Sequence, residues 1–439
     1  MPPTGEAIAS RRSLVQGEEL LLAKRDPCGY NTERCTPSRG VIRQKKGVKN
    51  LDIRFASRME QFQPGVFNLL DDKKRERLAQ GKQVWNLSIG TPDFHPDAHV
   101  MAAASRAIAD PNNYKYSLGN TPELVQAVQG WYSRRYGVEL APEEITSVNG
   151  SQEGLAHIGW ALCDPGDLVL CPNPGYPIFE LGPWLTGAEI GYYELREEND
   201  YLLDLNAIPP AVAERAKAIV VSYPANPISR TAPRSFYEEL VAWAERYNVI
   251  VIHDNAYSDI VFDGREGISF LSIPGAKEVG VEFNSLSKTY CLTGARISFV
   301  LGNREIVQKF ATLRSQIDYG IFLPVQHAAI AALNGPQDGV EQRRKWYQER
   351  RDALCGGFRS IGWKVPDSQG SMFAWAPLPW GYSDSVEFCF ELLEKTGVLC
   401  TPGSAFGTLG GDHVRFALTL PPEQTAQAVQ AVKESGMIQ

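Results

Sequence analysis

The chain has 439 residues, of which 43% are hydrophobic and 22% are charged, and its formal net charge is -7 at pH 7. This length exceeds what one ordinary hydrophobic core accommodates, so we expect two domains. The composition is typical of a globular enzyme, and the acidic balance gives no reason to expect a nucleic acid as a partner.

The first fifty residues differ from the rest in charge, with ten Lys or Arg against five Asp or Glu. Their longest apolar run, Leu20-Leu21-Leu22-Ala23, is shorter than the ~7 to 15 apolar residues of a secretory signal. We therefore predict that residues 1–50 form a basic, poorly ordered extension. No later segment has the ~18 consecutive apolar residues of a membrane span, so we expect no membrane as a partner.

The eight cysteines include no Cys-x-x-Cys pair, and the six histidines are scattered along the chain. This spacing argues against a metal site and against a disulfide framework. A reducing compartment is the default for such a chain, and we expect the cytoplasm.

Helical patterns alternate with short apolar runs from about residue 98 onward. This alternation predicts an α/β fold whose large domain has a mostly parallel sheet with crossover helices. Upstream, 55–79 reads as helical and 84–90 as a short strand. The candidate strands of the sheet are Asp167–Cys171, Ala218–Tyr223, Val249–His253, Glu278–Phe283 and Ile297–Leu301.

Side chains with distinct chemistry follow four of these strands directly. Tyr176 follows the first strand, Asn226 the second, and Asp254 and Tyr257 the third, while the fourth leads to Lys288. Ligands of parallel sheets bind beyond the carboxyl ends of the strands. The sequence therefore predicts that these residues share one site.

The segment around Lys288 suits an aldehyde cofactor that carries a phosphate. The lysine amine can form an imine, while the hydroxyls of Ser285 and Ser287 and the guanidinium of Arg296 can bind a dianion. Gly150-Ser151-Gln152 opens a predicted helix, whose free amides would add to the same dianion site.

Together these residues give the chain a resemblance to the pyridoxal-phosphate-dependent aminotransferases of class I/II, which share the aspartate aminotransferase fold. The resemblance runs from about residue 55 to the C-terminus, and it is closest to LL-diaminopimelate aminotransferase and its bacterial relatives. The runs that carry the closer likeness are Gly150 to Gly154, Asp164 to Asp167, Asn226-Pro227, Gly275 to Gly280 and Phe283-Asn284-Ser285.

The resemblance implies a domain layout and an assembly. Residues 51–96 and 341–439 would form a smaller α+β domain, and residues 97–340 would form the cofactor domain. The enzyme would be a homodimer with shared active sites. It would move an amino group from an L-amino acid to a 2-oxo acid by a ping-pong mechanism, with glutamate and 2-oxoglutarate as one pair. The donor would be of the LL-diaminopimelate, aspartate or alanine type.

The same resemblance assigns roles to the residues at the strand ends. Lys288 would hold the cofactor and then act as the base, Asp254 would face the pyridine nitrogen, and Tyr176 would stack on the ring. Asn226 and Tyr257 would hydrogen-bond the ring oxygen. The phosphate would be bound by five residues: Ser151, Gln152, Ser285, Ser287 and Arg296.

Two further residues would bind the substrate α-carboxylate by resemblance. Arg415, in a predicted strand of the smaller domain, would bind the carboxylate through two guanidinium nitrogens, and Gly90 would add a backbone contact. A tyrosine would reach the phosphate of the neighbouring subunit. Tyr114 and Tyr116 both fit part of the family pattern, and we favour Tyr116.

The chain departs from the family pattern in two places. The usual Asn-Pro-Thr-Gly is Asn226-Pro227-Ile228-Ser229 here, and no acid lies between Tyr114 and Asn120, where the diaminopimelate enzymes carry one that helps to recognise the distal end of the substrate. Two alternatives stay open. One is a lyase or decarboxylase with the same fold and cofactor, and the other is a regulator that uses such a domain as a sensor.

Overall fold

A computed structural model describes residues 53–62 and 66–438 of the chain. The predicted extension, residues 1–50, lies outside this range. Within it, no helix has both the length and the apolar character needed to cross a membrane.

The core of the fold is a seven-stranded sheet with the strand order β2-β8-β7-β6-β5-β3-β4. Neighbouring strands from β4 to β7 run parallel, and β8 is antiparallel to both β7 and β2. The predicted mostly parallel α/β fold is confirmed. The strands are β2 (Ile145–Val148), β3 (Leu168–Asn173), β4 (Glu189–Glu194), β5 (Ala216–Val221), β6 (Ile250–Asn255), β7 (Gly280–Ser285) and β8 (Ser298–Gly302).

Helices cover both faces of this sheet. Side chains of a strand alternate between the two faces, so Val251 packs into one hydrophobic cluster and its neighbour Ile252 into the other. The helices between the strands and after β8 are α2 (Ala98–Ala109), α3 (Pro122–Tyr136), α4 (Ser151–Leu162), α5 (Ile178–Leu185), α6 (Pro210–Ala213), α7 (Arg234–Tyr247), α8 (Ala276–Val279), α9 (Leu286–Thr289), α10 (Arg304–Arg314) and α11 (Leu323–Asn334).

A second hydrophobic core lies in the C-terminal part of the chain, and α1 (Val66–Ala79) contributes Leu70 to it. Here β9 (Phe373–Pro377), β12 (His413–Ala417) and β11 (Thr401–Pro402) form an antiparallel sheet, and β1 (Trp85–Asn86) pairs with β10 (Val398–Leu399). The long helix α12 (Asp338–Ser360), α13 (Ser385–Thr396) and α14 (Pro422–Ser435) pack around these strands. The domain boundaries given above stay a prediction.

Several helices begin at a capping side chain and end at a glycine. Thr121 accepts a hydrogen bond from the Leu124 amide at the start of α3, and Gly137, at φ 66°, ends that helix in the left-handed region. Asp384 caps α13 in the same way, and Gly397 ends it. Such caps fix where these helices begin and end.

Two elements are shorter than the sequence predicted. The helical stretch 55–79 contains a 3-10 turn at Ser57–Gln61 and the α-helix Val66–Ala79, while 63–65 lie outside the described residues. The strand predicted at 84–90 spans only Trp85–Asn86. The Asn86 side chain accepts hydrogen bonds from the amide and hydroxyl of Ser88 at 3.1 and 2.7 Å, and this local turn ends the strand.

Two bidentate ion pairs join the segment that follows β1 to α12. Asp93 accepts from both terminal nitrogens of Arg350 at 2.6 and 2.7 Å, and Asp97 accepts from both of Arg343 at 3.0 Å. Both arginines are buried. Bidentate geometry fixes orientation as well as distance, so this segment is held rigidly over the C-terminal side of the large sheet.

Replacing Asp93 with Ala should destabilise the protein by about 2 kcal/mol, because the buried guanidinium of Arg350 would lose its counter-charge. The partial exposure of Asp93 keeps the expected cost below that of a fully buried pair. The measurement is the midpoint of urea unfolding followed by tryptophan fluorescence. Glu238→Ala, which breaks the exposed pair with Arg234, is the matched control and should barely move the midpoint. Equal shifts in the two variants would contradict the prediction.

Candidate active site

A cavity of about 880 Å³ lies beyond the carboxyl ends of β5, β6 and β7, where the two cores meet. The structure brings all but one of the predicted site residues to its walls. They are Gly90, Ser151, Gln152, Tyr176, Asn226, Asp254, Tyr257, Ser285, Ser287, Lys288, Arg296 and Arg415.

Tyr116 is the exception, since it does not line the cavity of this chain. Its side chain is 76% exposed and packs against Tyr319 with ring centroids 4.9 Å apart. The alternative, Tyr114, donates its hydroxyl hydrogen to the Ile108 carbonyl at 2.9 Å. The hydroxyl of Tyr114 is therefore engaged within its own chain.

Lys288 lies on α9, the single helical turn that follows β7. Ser285 starts this turn by accepting a hydrogen bond from the Ser287 amide at 3.2 Å, and the lysine Nζ donates to the Gly90 carbonyl at 2.5 Å. Burial, followed by the positive charges of Arg415 and Arg296, lowers the pKa of Lys288 to about 8. A larger fraction of this amine is thus neutral and nucleophilic near neutral pH than of an ordinary lysine.

Asp254 is the penultimate residue of β6, and it is 7% exposed. Its Oδ1 has no hydrogen-bond partner among the described residues, although the Ser222 hydroxyl holds its backbone carbonyl at 3.0 Å. Burial, with a smaller effect from the charge of Glu282, raises the pKa of Asp254 to about 7. A buried acid in this condition fits a ligand that brings a positive charge.

Arg415 projects from β12 and connects the second core to the cavity. Its terminal nitrogens donate to the Asn226 Oδ1 at 2.9 Å and to the Ser88 carbonyl at 2.8 Å. The guanidinium lies 4.2 Å from the ring centroid of Phe373 and 4.7 Å from that of Phe406. Burial lowers its pKa to about 10, and among the described residues no carboxylate pairs with it. This cation fits an incoming carboxylate.

An anion-binding corner lies where α4 begins. Ser151 is the first residue of this helix, and its Oγ is buried without a partner in the described chain. Gly150 precedes it at φ 89°, and a Cβ there would overlap the guanidinium of Arg296. The helix N-terminus, the hydroxyls of Ser151, Ser285 and Ser287, and Arg296 together fit a phosphate group.

The remaining ring-binding residues have partners that fix their positions. Tyr176 donates its hydroxyl hydrogen to the Gln152 Oε1 at 3.0 Å. Tyr257 lies edge-on to Phe373 with ring centroids 6.0 Å apart, and burial raises the pKa of its hydroxyl far above the ordinary value. Asn226 keeps its amide NH₂ group for another acceptor, because its bond to Arg415 uses only the oxygen.

The sequence did not reveal the residues that shape the site through space. Phe373 and Phe406 enclose the guanidinium of Arg415, yet they come from β9 and from the 3-10 turn Gly403–Phe406, and no pattern in either stretch marks them as site residues. Leu70 and Ile89 at the cavity wall were missed for the same reason, although Ile89 directly precedes the predicted Gly90. The one local signal was Gly150, since a glycine just before a helix that carries a site serine indicates close approach of another group.

A lysine with a lowered pKa, an acid and an arginine without counter-charges, and an anion-binding corner in one cavity are what a transaminase requires. Residues 82–432 match the family model "Aminotransferase class I and II". The chain therefore belongs to the class I and II aminotransferase family, and the predicted family and enzyme class are confirmed.

The sequence relatives are more specific. The chain is 41% identical over 379 residues to an LL-diaminopimelate aminotransferase of Dehalococcoides mccartyi strain 195, and this match covers 86% of the chain and 97% of the relative. It is 42% identical over 380 residues to the enzyme of the same name from Desulforudis audaxviator, at 86% and 97% coverage. The predicted resemblance to this subgroup is thus confirmed.

Solved structures agree with this assignment. Substrate-bound BacF from Bacillus subtilis superimposes with a TM-score of 0.84 at 34% identity, covering 87% of this chain and 98% of BacF. A mutant of Thermus thermophilus aspartate aminotransferase gives a TM-score of 0.82 at 27% identity, covering 87% of this chain and all of that one. The aspartate aminotransferase-like fold is confirmed.

Acylation of Lys288 in the cofactor-free protein should reach half its maximal rate near pH 8, because the neutral amine is the reactive form. The measurement is the rate of modification by acetic anhydride at a series of pH values, read for each lysine by peptide mass spectrometry. Lys395 is the internal control, since its hydrogen bond to Glu391 raises its pKa and its rate should climb to higher pH. Parallel pH curves for the two lysines would contradict the prediction.

Proposed function

We propose that this aminotransferase uses pyridoxal 5'-phosphate and transfers an amino group from an L-amino acid to a 2-oxo acid by a ping-pong mechanism. The observation that carries the proposal is that Lys288, Asp254 and Arg415 line one cavity while each lacks a counter-charge in the described chain. An aldehyde, a protonated pyridine nitrogen and a substrate carboxylate would supply what these three groups lack.

Different cavity residues would bind different parts of the cofactor. Lys288 would bind the aldehyde carbon, Asp254 would pair with the ring nitrogen, and Tyr176 would lie against the ring. Asn226 and Tyr257 would donate to the ring oxygen. The phosphate would be held by Ser151, Gln152, Ser285, Ser287 and Arg296. The unpartnered Oγ of Ser151 and the unpartnered Oδ1 of Asp254 support this fit.

When bound, the cofactor supplies an aldehyde that takes up the amino group and a ring that accepts electrons. The chain supplies the rest. Arg415 and the backbone at Gly90 hold the substrate α-carboxylate. The amine of Lys288 takes the proton from the substrate α-carbon, and its lowered pKa lets it act as a base near neutral pH. Asp254, once paired, stays ionised against the ring nitrogen.

The donor is proposed from the relatives, which are named LL-diaminopimelate aminotransferases, with glutamate and 2-oxoglutarate as the second pair. Aspartate and alanine are the other donors to compare, because the stretch between Tyr114 and Asn120 has no acid. For the location we propose the cytoplasm. The described cysteines are all free thiols, including Cys389 and Cys400 with sulfurs 3.3 Å apart, and this fits a reducing compartment.

Lys288→Ala protein, mixed with pyridoxal phosphate, should lack the near-visible absorbance of a lysine-bound cofactor, because no other described lysine lines the cavity. Lys277→Ala, which removes a lysine that binds Glu144 outside the site, is the control and should keep the wild-type spectrum. An unchanged spectrum in Lys288→Ala would overturn the assignment.

The same absorbance identifies the donor. Wild-type enzyme loaded with cofactor is mixed with LL-diaminopimelate, aspartate, alanine or glutamate, and the loss of absorbance in each half-reaction is followed. A true donor should bleach the band, and a matching 2-oxo acid should restore it. Release of pyruvate from a thioether amino acid such as cystathionine would instead favour the lyase alternative.

We further propose a homodimer with shared active sites, in which Tyr116 reaches the phosphate bound by the partner. An exposed apolar cluster beside Tyr116 supports this assembly. Its members are Tyr114, Tyr116, Leu118, Ile317, Tyr319 and Phe322, and all of them are at least 43% exposed. Exposed aromatic groups at this density are typical of a protein interface.

Leu118→Asp should weaken the dimer, because it puts a charge into this cluster. Leu118 already has φ 52°, a conformation that Asp tolerates, so folding should not suffer. Sedimentation velocity should show mass shifting from twice 48.6 kDa toward 48.6 kDa, with weaker cofactor binding. Trp380→Asp, at a 93% exposed side chain elsewhere, is the control. A wild type that sediments as a monomer would refute the shared site.

A further inference from the structure

A buried carboxylate that the proposed mechanism does not use lies behind the site. Glu282 is on β7, opposite His253 on β6, and both are fully buried. Because side chains alternate along a strand, this pair lies on the face of the sheet opposite to Asp254. Glu282 does not line the cavity, and it is separated from Asp254 by the thickness of the sheet.

Four donors surround the Glu282 carboxylate. Its Oε1 accepts from the Tyr132 hydroxyl at 2.7 Å and from the Ser269 hydroxyl at 2.8 Å. Its Oε2 accepts from the Phe270 amide at 2.7 Å and lies 3.0 Å from the His253 Nδ1. A carboxylate that accepts this many hydrogen bonds is held in the ionised form. Burial opposes this effect, but the hydrogen bonds from His253, Tyr132 and Ser269 leave the pKa of Glu282 below its ordinary value.

The Glu282 carboxylate acts on the cavity side of the sheet, since its charge contributes to the raised pKa of Asp254. The Tyr237 hydroxyl lies 3.3 Å from the His253 Nε2 and 3.4 Å from the Tyr223 carbonyl, so its one hydrogen is shared between these two neighbours. The tyrosines around Glu282 stay protonated, because burial raises the pKa of each hydroxyl well above its ordinary value. These tyrosines are Tyr132, Tyr136 and Tyr237.

The two buried acids therefore differ in how they are satisfied. Glu282 has a full set of donors, whereas Asp254 has an Oδ1 without a partner. On the cavity side the titratable and charged groups near Asp254 are Tyr176, Tyr257, Lys288, Arg296 and Arg415. Arg415 is bound to Asn226 and Lys288 to the Gly90 carbonyl, so neither is paired with Asp254. A positive charge to pair with ionised Asp254 therefore has to come from the ligand.

We propose that Glu282 is a positioning residue of the transamination reaction, a permanent anion behind the sheet that keeps the cofactor ring nitrogen protonated beside Asp254. This inference rests on the proposed function. Glu282 acts through two routes. Its charge adds to that of Asp254 at the ring nitrogen, and its bond to His253 fixes the strand end that carries Asp254. The low dielectric of the interior lets the charge act across the sheet.

The test is the protonation of the ring nitrogen itself. Wild type and variants are loaded with pyridoxal phosphate labelled with nitrogen-15 in the ring, and the NMR shift of that nitrogen is followed against pH. In Glu282→Gln the midpoint for loss of the ring proton should fall by about one pKa unit, as expected for removing one charge at this range in a protein interior. Glu278→Gln removes an exposed charge four residues earlier, and its midpoint should equal that of the wild type.

A second variant covers the chance that Glu282→Gln does not fold. Tyr132→Phe keeps the ring but removes one of the four donors, so Glu282 stays ionised while less of its charge is offset by hydrogen-bond dipoles. Its midpoint should therefore move in the opposite direction, upward, by a smaller amount. Thermal unfolding establishes which variants are folded, and the pH profile of kcat should move with the NMR midpoint while KM changes little.

The outcomes are distinguishable. Folded Glu282→Gln and Tyr132→Phe with the wild-type midpoint would overturn the role of Glu282 and leave the proposed function intact, as would a lower melting temperature with no shift of the midpoint. If only Tyr132→Phe folds, its unmoved midpoint has the same meaning. A wild type that shows no lysine-bound cofactor would overturn both proposals.

Discussion

Everything at the site follows from the rule that a buried charge needs a partner. Asp254, Lys288 and Arg415 line one cavity, and the described chain supplies none of them with an opposite charge. The fold places Asp254 near the end of β6, Lys288 on α9 after β7 and Arg415 within β12, and no ion pair of the described chain joins the acid to either cation. This arrangement costs stability in the empty protein, and it makes the cavity complementary to a ligand with the opposite charges.

The rest of the molecule maintains that separation. Parallel strands place Asp254 and the lysine segment at one edge of the large sheet, and the helix start at Ser151 faces the same edge. The antiparallel sheet of the second core delivers Arg415 from the other side, with Phe373 and Phe406 enclosing its guanidinium. Because these elements come from two cores, the geometry of the site depends on how firmly the cores are joined.

Much of the fold could be predicted from the sequence, because apolar runs and caps are local signals. The buried strands β3, β5, β6, β7 and β8 were found in this way, and so was the strand that carries Arg415. Glu278 and Val279 were placed in a strand but belong to α8, since a one-turn helix after Gly275 leaves no periodicity to detect. β1 was overextended because the turn at Ser88 depends on a side-chain bond from Asn86.

The site residues likewise fall into those that a local sequence signal marks and those that only contacts in the folded chain reveal. Residues that follow a strand or open a helix, such as Asp254 and Ser151, could be named from position alone. The aromatic rings around Arg415 and the bond between Arg415 and Asn226 could not be, because they join segments far apart in sequence. Tyr116 belongs to a third kind, since its proposed role depends on a surface that only a second chain would complete.

The short segment from Ser88 to Asp97 connects functions that otherwise belong to separate parts of the molecule. The Ser88 carbonyl accepts from Arg415, the Gly90 carbonyl accepts from Lys288, and Asp93 and Asp97 tie the same segment to α12. Any ligand that takes over the hydrogen bonds of Arg415 or Lys288 releases one of these carbonyls. Occupancy of the cavity therefore changes the hydrogen bonds of a segment that Asp93 and Asp97 also tie to α12.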